Sequence, residues 1–204
     1  MKHRSRFLDR GRLLFFGFEK EAIIMPNIAA ARGLLNSADV LFTAEQCSAA
    51  IERMATDITA ELGETYPLVL SVMGGAVVFS GQLLPRLAFP LDFDYVHVSR
   101  YGDKTHGGEL TWRTAPKEDV RDRVVLVLDD ILDEGETMAA IREKVLGMGA
   151  KAFYSAVFAN KLIDKVKPIK ADFVGLDVPN RYVFGYGMDV RGAWRNLPAV
   201  YALK

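Results

Sequence analysis

The chain has 204 residues, of which 50% are hydrophobic, 25% charged and 10% aromatic, and its 26 basic side chains balance 26 acidic ones. A chain of this length buries about two-thirds of its unfolded surface in one core, and the composition is that of a globular protein, which excludes collagen, coiled coil and disorder. The neutral balance supplies no global field for collecting nucleic acid or an anionic membrane, so a polyanionic ligand must be held by a local site.

Residues 1–25 carry Lys2, Arg4, Arg6, Arg10 and Arg12 ahead of the run Leu13-Leu14-Phe15-Phe16, and Glu19-Lys20-Glu21 cuts that run too early for a secretory signal core. We read 1–25 as an N-terminal extension upstream of a start at Met25, with an amphipathic surface arm as the alternative, and 26–204 as a single domain. Every apolar stretch falls far short of the roughly 18 residues of a membrane helix. Cys47 is the only cysteine, which excludes an intramolecular disulfide and an all-cysteine metal site and points to a reducing cytoplasm.

From Thr43 the pattern is helical. Thr43 and Gln46 form a capping box, and Cys47, Ile51, Met54, Ile58 and Leu62 recur at three- and four-residue steps before Gly63. Leu68 to Met73 reads as a strand ended by Gly74-Gly75, and Ala76 to Leu84 as a helix that Pro85 closes. Leu91, Phe93 and Tyr95 alternate with Asp92 and Asp94 in a second strand that runs on through Val98. Between Arg100 and Arg123 the pattern fails, and its glycines with Pro116 predict a long functional or mobile loop. Val124 to Leu128 is wholly aliphatic, as in a strand buried on both faces. A helix with Met138, Ile141, Val145 and Met148 on one face follows, then strands at Ala152 to Ala159 and Phe173 to Leu176. This alternation predicts an α/β fold with a mostly parallel sheet and ligands at the strands' carboxyl ends.

The stretch Asp129 to Thr137 lies between the aliphatic strand and a helix N-terminus, where free N–H groups and the helix dipole form an anion cradle. Asp129 and Asp130 call for cations or hydroxyls: a sugar, a hydrated Mg²⁺, or both. A solvated acidic loop ahead of the helix is the other reading.

The word Val125-Leu126-Val127-Leu128-Asp129-Asp130-Ile131-Leu132-Asp133-Glu134-Gly135-Glu136-Thr137 resembles the signature of the type I phosphoribosyltransferases, with Glu134 where Thr or Ser is usual. The resemblance implies a mostly parallel twisted sheet flanked by helices, with a small base-recognition hood. It also implies that Asp129 and Asp130 hold the ribose hydroxyls of 5-phosphoribosyl-1-diphosphate, and that Glu134, Gly135, Glu136 and Thr137 hold its 5-phosphate. Glu134 and Glu136 suit a phosphate when their side chains point away and their N–H groups point in.

Pro179-Asn180-Arg181-Tyr182-Val183-Phe184-Gly185-Tyr186-Gly187-Met188-Asp189, then Arg195-Asn196-Leu197-Pro198, is similar to the carboxyl-terminal segment of the hypoxanthine-guanine phosphoribosyltransferases. On that resemblance Tyr182 stacks on the purine, Val183 reads its edge through the backbone, and Lys161 donates to the 6-oxygen. Asp189, with Asp129 and Asp130, helps hold Mg²⁺, and Arg195 reaches the diphosphate. Asp133 is the general base. Met73, Gly74 and Gly75 match the diphosphate-cradling turn, which in the family often has a non-proline cis peptide before the residue at Met73; relatives often have Lys or Arg there. Ser99-Arg100-Tyr101-Gly102 resembles the start of the mobile catalytic loop, with Tyr101 closing over the site.

The implied activity is Mg²⁺-dependent transfer of phosphoribose from 5-phosphoribosyl-1-diphosphate to hypoxanthine, guanine or xanthine, in a cytoplasmic homodimer or homotetramer. The rival is a nucleotide- or RNA-binding regulator of the same fold without turnover. A dinucleotide-binding dehydrogenase fails, because Met73 to Phe79 lacks Gly-x-Gly-x-x-Gly.

Overall fold

The computed structural model describes residues 27–101 and 109–204. The elements in order are α1 (Ile28–Ser37), β1 (Asp39–Phe42), α2 (Ala44–Leu62), β2 (Leu68–Val72), α3 (Val77–Leu83), β3 (Asp92–Tyr101), β4 (Glu109–Thr114), β5 (Val124–Leu132), α4 (Glu136–Gly147), β6 (Ala152–Lys161), β7 (Phe173–Val178), β8 (Val183–Phe184) and β9 (Val200–Ala202). No helix among the described residues is long and apolar enough to cross a membrane. The first 25 residues lie outside the described ones.

Six strands form the main sheet in the order β4-β3-β2-β5-β6-β7. The pairs β2·β3, β2·β5, β5·β6 and β6·β7 are parallel, and β4 runs antiparallel on the edge. Period-two alternation divides the buried side chains between two faces. Val69, Leu126, Leu128 and Phe158 join the apolar face of α2 and Phe79 and Leu83 of α3 on one side. Leu68, Leu70, Val125, Val127 and Val157 meet Met138, Ile141 and Val145 of α4 on the other. Each such aliphatic side chain contributes about 1.5–3 kcal/mol by burial.

The α2 helix begins as its sequence dictates: Thr43 Oγ1 accepts from the Gln46 N–H, and the Thr43 N–H donates to Gln46 Oε1. Four expectations need correction. The loop foreseen between Arg100 and Arg123 is in part an antiparallel ladder, since β3 runs to Tyr101 and β4 returns with Val98 opposite Trp112. Trp112 packs on the second core, which holds this edge strand in place. The returning chain is then caught by Asp94, whose carboxylate accepts from the N–H groups of Lys117 and Glu118. Residues 102–108, within the foreseen lid, lie outside the described ones. Second, β5 does not stop at Leu128: β6 keeps pairing with it, Asp129 opposite Val157 and Leu132 opposite Asn160, so the acid pair lies in the strand itself. Third, Met148 follows the end of α4 and is exposed. Fourth, the cis peptide is Met73-Gly74, one bond later than expected.

A second, three-stranded antiparallel sheet, β1-β9-β8, stands in the place of the expected hood. Its strands have only two to four residues, too short for a periodic signal. The carboxyl-terminal loop above it is pinned to the main sheet by Tyr186, whose ring stacks on Phe158 at 3.9 Å between centroids.

Candidate active site

At the carboxyl ends of β2, β5 and β6 three backbone segments converge. Gly75 has no room for a Cβ, which would lie 2.0 Å from Asp130 Oδ2. Gly187, at φ +105°, would put a Cβ 2.1 Å from the Gly75 carbonyl oxygen. The Met73-Gly74-Gly75 turn, the acid pair and the 185–189 loop are thus in contact because two glycines permit it. Gly74 faces open space.

Asp130 has a side chain only 14% exposed, and its cationic neighbour among the described residues is Arg195, with Nη1 at 4.0 Å. Arg195 is itself oriented by the Gly187 carbonyl (2.7 Å) and by Asp189 (2.5 Å), whose second oxygen accepts from the Gly192 N–H at 2.7 Å. Desolvation, then the adjacent Asp130 charge, pushes the Asp129 carboxyl well above the usual carboxylate range. Desolvation also raises Asp130, against the opposing pull of its hydrogen bond with Asp129 and the Arg195 guanidinium. The pair is short of positive charge. A hydrated Mg²⁺ takes one or two protein carboxylates and completes its shell with water and substrate phosphates, and this donor set fits that mode. Among the described residues no group of three or more His, Cys, Asp or Glu side chains forms an all-protein cage.

Gly135, in the left-handed region at φ +86°, turns the chain from β5 into α4, and no side chain caps that helix. Its free N–H groups at Glu136 and Thr137 face a cleft of about 490 Å³ that also includes Asp129, Asp130, Asp133 and Val72. Glu134 is drawn aside by Lys165, whose Nζ lies 3.2 Å from its carboxylate.

A second cavity of about 220 Å³ adjoins the first, sharing Asp130, Ile131 and Asp133, and adds Lys161, Tyr182, Val183, Met188 and Asp189. Tyr182 is 53% exposed, so it is not the core aromatic that its type alone suggests, whereas Val183 is buried at 6%. Lys161, at the end of β6, donates to Asp133 Oδ2 at 2.5 Å; it is not a solvated strand-end lysine. The stretch Asp129 to Thr137 with Lys161, Tyr182, Val183 and Asp189 therefore lines the two joined cavities. Gly75 and Arg195 line neither but adjoin them through Asp130, Met73 and Gly74 lie in the turn that follows β2, and Tyr101 ends β3 beside the residues outside the described set. Sequence reasoning missed Ile131 and Met188, which floor the base-sized cavity, and Lys165, whose only signal was its opposite charge to Glu134.

Residues 37–191 match the family described as "Phosphoribosyl transferase domain". Over 166 residues, 81% of this chain and 92% of the relative, the chain is 32% identical to the hypoxanthine-guanine phosphoribosyltransferase of Bacillus subtilis (strain 168). A solved hypoxanthine phosphoribosyltransferase from Staphylococcus aureus superposes with a TM-score of 0.79 at 26% identity, covering 84% of this chain and 95% of that one. A solved hypoxanthine-guanine-xanthine phosphoribosyltransferase superposes at 0.75 with 29% identity, covering 83% and 99%.

Proposed function

The chain belongs to the phosphoribosyltransferase family, among relatives that are hypoxanthine-guanine phosphoribosyltransferases, and from its site we propose that it transfers phosphoribose from 5-phosphoribosyl-1-diphosphate to a 6-oxopurine. Its sheet and flanking helices are the type I phosphoribosyltransferase fold. The observation that carries the substrate reading is the Lys161–Asp133 pair at the junction of the two cavities. An ammonium donor beside a carboxylate acceptor complements the edge of a 6-oxopurine, where the 6-oxygen accepts and the neighbouring ring N–H donates. A 6-aminopurine would turn a donor toward the ammonium.

In this reading the larger cavity takes the sugar donor. Asp129 and Asp130 receive the ribose hydroxyls, and the N–H groups from Glu134 to Thr137 receive the 5-phosphate. Gly74 and Gly75 approach the diphosphate with backbone alone, Met73 contributing no charge, while Arg195 supplies the cation. Asp129, Asp130 and Asp189 would supply the carboxylates for hydrated Mg²⁺, without forming one three-carboxylate cage, and the chemistry it would supply is neutralisation of charge on the leaving diphosphate.

The smaller cavity takes the purine, with Tyr182 stacked on its face and Val183 along its edge. A ring nitrogen bonds to C1 of the ribose as the C1–oxygen bond to diphosphate breaks through an oxocarbenium-like state. The purine's imidazole proton passes to the Asp133 carboxylate. Tyr101 keeps its assigned place, from the resemblance alone, in the loop that shields this step from water.

The protein works, in our reading, in the cytoplasm as a homodimer or homotetramer. Phe93 and Tyr95, 44% and 37% exposed on β3, offer an apolar face suited to a second copy. The decisive experiment is a set of initial rates with 5-phosphoribosyl-1-diphosphate and hypoxanthine, guanine, xanthine or adenine. Turnover of at least one 6-oxopurine and none of adenine is expected; no turnover of any 6-oxopurine overturns the reading in favour of a non-catalytic binder.

A further inference from the structure

The end of β6 and its connection to β7 carry three lysines that reach back to three successive residues at the end of β5 and just past it. Lys161 bonds Asp133, Lys165 bonds Glu134, and Lys167 bonds the carbonyl of Leu132 at 2.7 Å. Lys167 differs from the other two in having a second acceptor, Asn160 Oδ1 at 2.8 Å. Leu132 and Asn160 lie opposite one another in the β5·β6 ladder, and they immediately precede Asp133 and Lys161.

We propose that Lys167 is a positioning residue for base recognition, its ammonium group stapling the ends of β5 and β6 and so setting the separation of Asp133 and Lys161. The proposal rests on the reading of that pair as the purine-edge acceptor and donor. Pairing between β5 and β6 ends at Leu132 and Asn160, while β6 stays paired with β7 as far as Lys161 opposite Val178. Beyond that point nothing in the ladder fixes how far apart the next two residues lie, yet their two side chains must match two adjacent atoms of one ring system. A charged donor bridging a carbonyl and an amide oxygen holds more firmly than neutral bonds do. The staple is extended outward, because Asn160 Nδ2 donates to Asp177 Oδ1 of β7 at 2.7 Å and fixes the amide's orientation. It also reaches the phosphate side, since a Cβ on Gly135 would lie 3.3 Å from the Lys167 Cβ. Burial, helped by the nearby Lys161 charge, lowers the Lys167 ammonium below the usual lysine range, against the opposing charges of Asp133 and Asp177.

The test is Lys167→Met, which keeps most of the unbranched stem and removes the donors. Its kcat/KM for the purine is expected to fall on the order of 10²-fold, the scale of an ångström's misplacement, while the KM for 5-phosphoribosyl-1-diphosphate stays within about twofold. A merely structural role would move both substrates together, and that outcome, or no change in either, overturns the proposal. A crystal structure of the variant supplies a readout independent of turnover: the Asp133–Lys161 contact should open beyond hydrogen-bond distance, and its persistence at 2.5 Å overturns the proposal even in an inactive protein. If Lys167→Met does not fold, Lys167→Gln, too short to reach both acceptors, is read in the same two ways. Wild-type inactivity on every 6-oxopurine would instead fall on the functional reading, leaving the structural arm to judge the staple.

Discussion

The two halves of the site are built by different means. On the donor side, backbone meets carboxylate with no side chain between: Gly75 against Asp130, Gly187 against the Gly75 carbonyl, and Gly135 turned into the left-handed region. On the base side, contacts are ion pairs and an exposed ring: Lys161 with Asp133, and Tyr182 half open to solvent. The first half is fixed by sterics and can change only by breaking. The second is set by charges on flexible stems and can be retuned by substitution.

That contrast ranks the consequences of mutation. The largest is expected at Asp133, where the two halves meet: Asp133→Asn should lower kcat by about 10²–10⁴ while leaving donor binding intact, as loss of a general base does. Steady-state kinetics with calorimetric binding of the donor decide this, and unchanged turnover removes Asp133 from the role. Next is Gly75→Ala, whose Cβ would overlap Asp130 Oδ2 and Cγ at 2.0 and 2.5 Å. Either the carboxylate or the turn must move, and kcat/KM for the donor should drop by about 10²–10³, the scale of losing one preorganised group. An active Gly75→Ala enzyme would show the steric lock to be looser than the contact distances require.

On the base side Lys161→Met should be gentler in rate and sharper in specificity. Purine affinity weakens, and the preference for 6-oxo over 6-amino bases narrows toward the about 10–200-fold that apolar contacts alone give. Competition between hypoxanthine and adenine measures it; undiminished exclusion of adenine means that another group reads the 6-position.

The same division explains what the sequence discloses. The Asp129-to-Thr137 wall of the larger cavity was legible, because a run of aliphatics, two acids and a glycine turn is a local word, and sterics act locally. The main sheet was legible for a similar reason, although β5 outran its aliphatic stretch once β6 offered Asp129 to Leu132 a partner. The β4 strand was missed because Thr111, Trp112 and Arg113 gain their alternation only from lying against β3. The three-stranded sheet pairs residues from both ends of the described chain, Asp39 with Ala202, and no local pattern announces such a contact. Lys165 and Lys167 were invisible for the same reason, since their partners Glu134 and Leu132 lie on another strand's end.

The smallest effect expected concerns stability and runs against activity. Asp129 keeps its proton in the folded protein to a higher pH than in the unfolded chain, because desolvation and the Asp130 charge disfavour its ionised form. Between the ordinary carboxylate value of 3.8 and that raised value the folded state binds more protons, so stability declines as pH rises through the interval and the full penalty persists above it. Asp129→Asn removes the charge and retains the Oδ1 that accepts the Asp130 N–H at 2.9 Å. Near neutral pH the ligand-free variant should therefore be more stable than the wild type by on the order of 1 kcal/mol, about 2–4 °C in Tm. Below the ordinary carboxylate range the difference should vanish, since both proteins are then neutral at this position. The same substitution should raise the KM for 5-phosphoribosyl-1-diphosphate, because a group whose charge burdens the empty protein is the one the donor's hydroxyls and metal require. Thermal melts across pH, set beside donor kinetics, test both signs at once. A variant less stable at neutral pH would mean that Asp129 supports the fold and does not wait, strained, for a ligand.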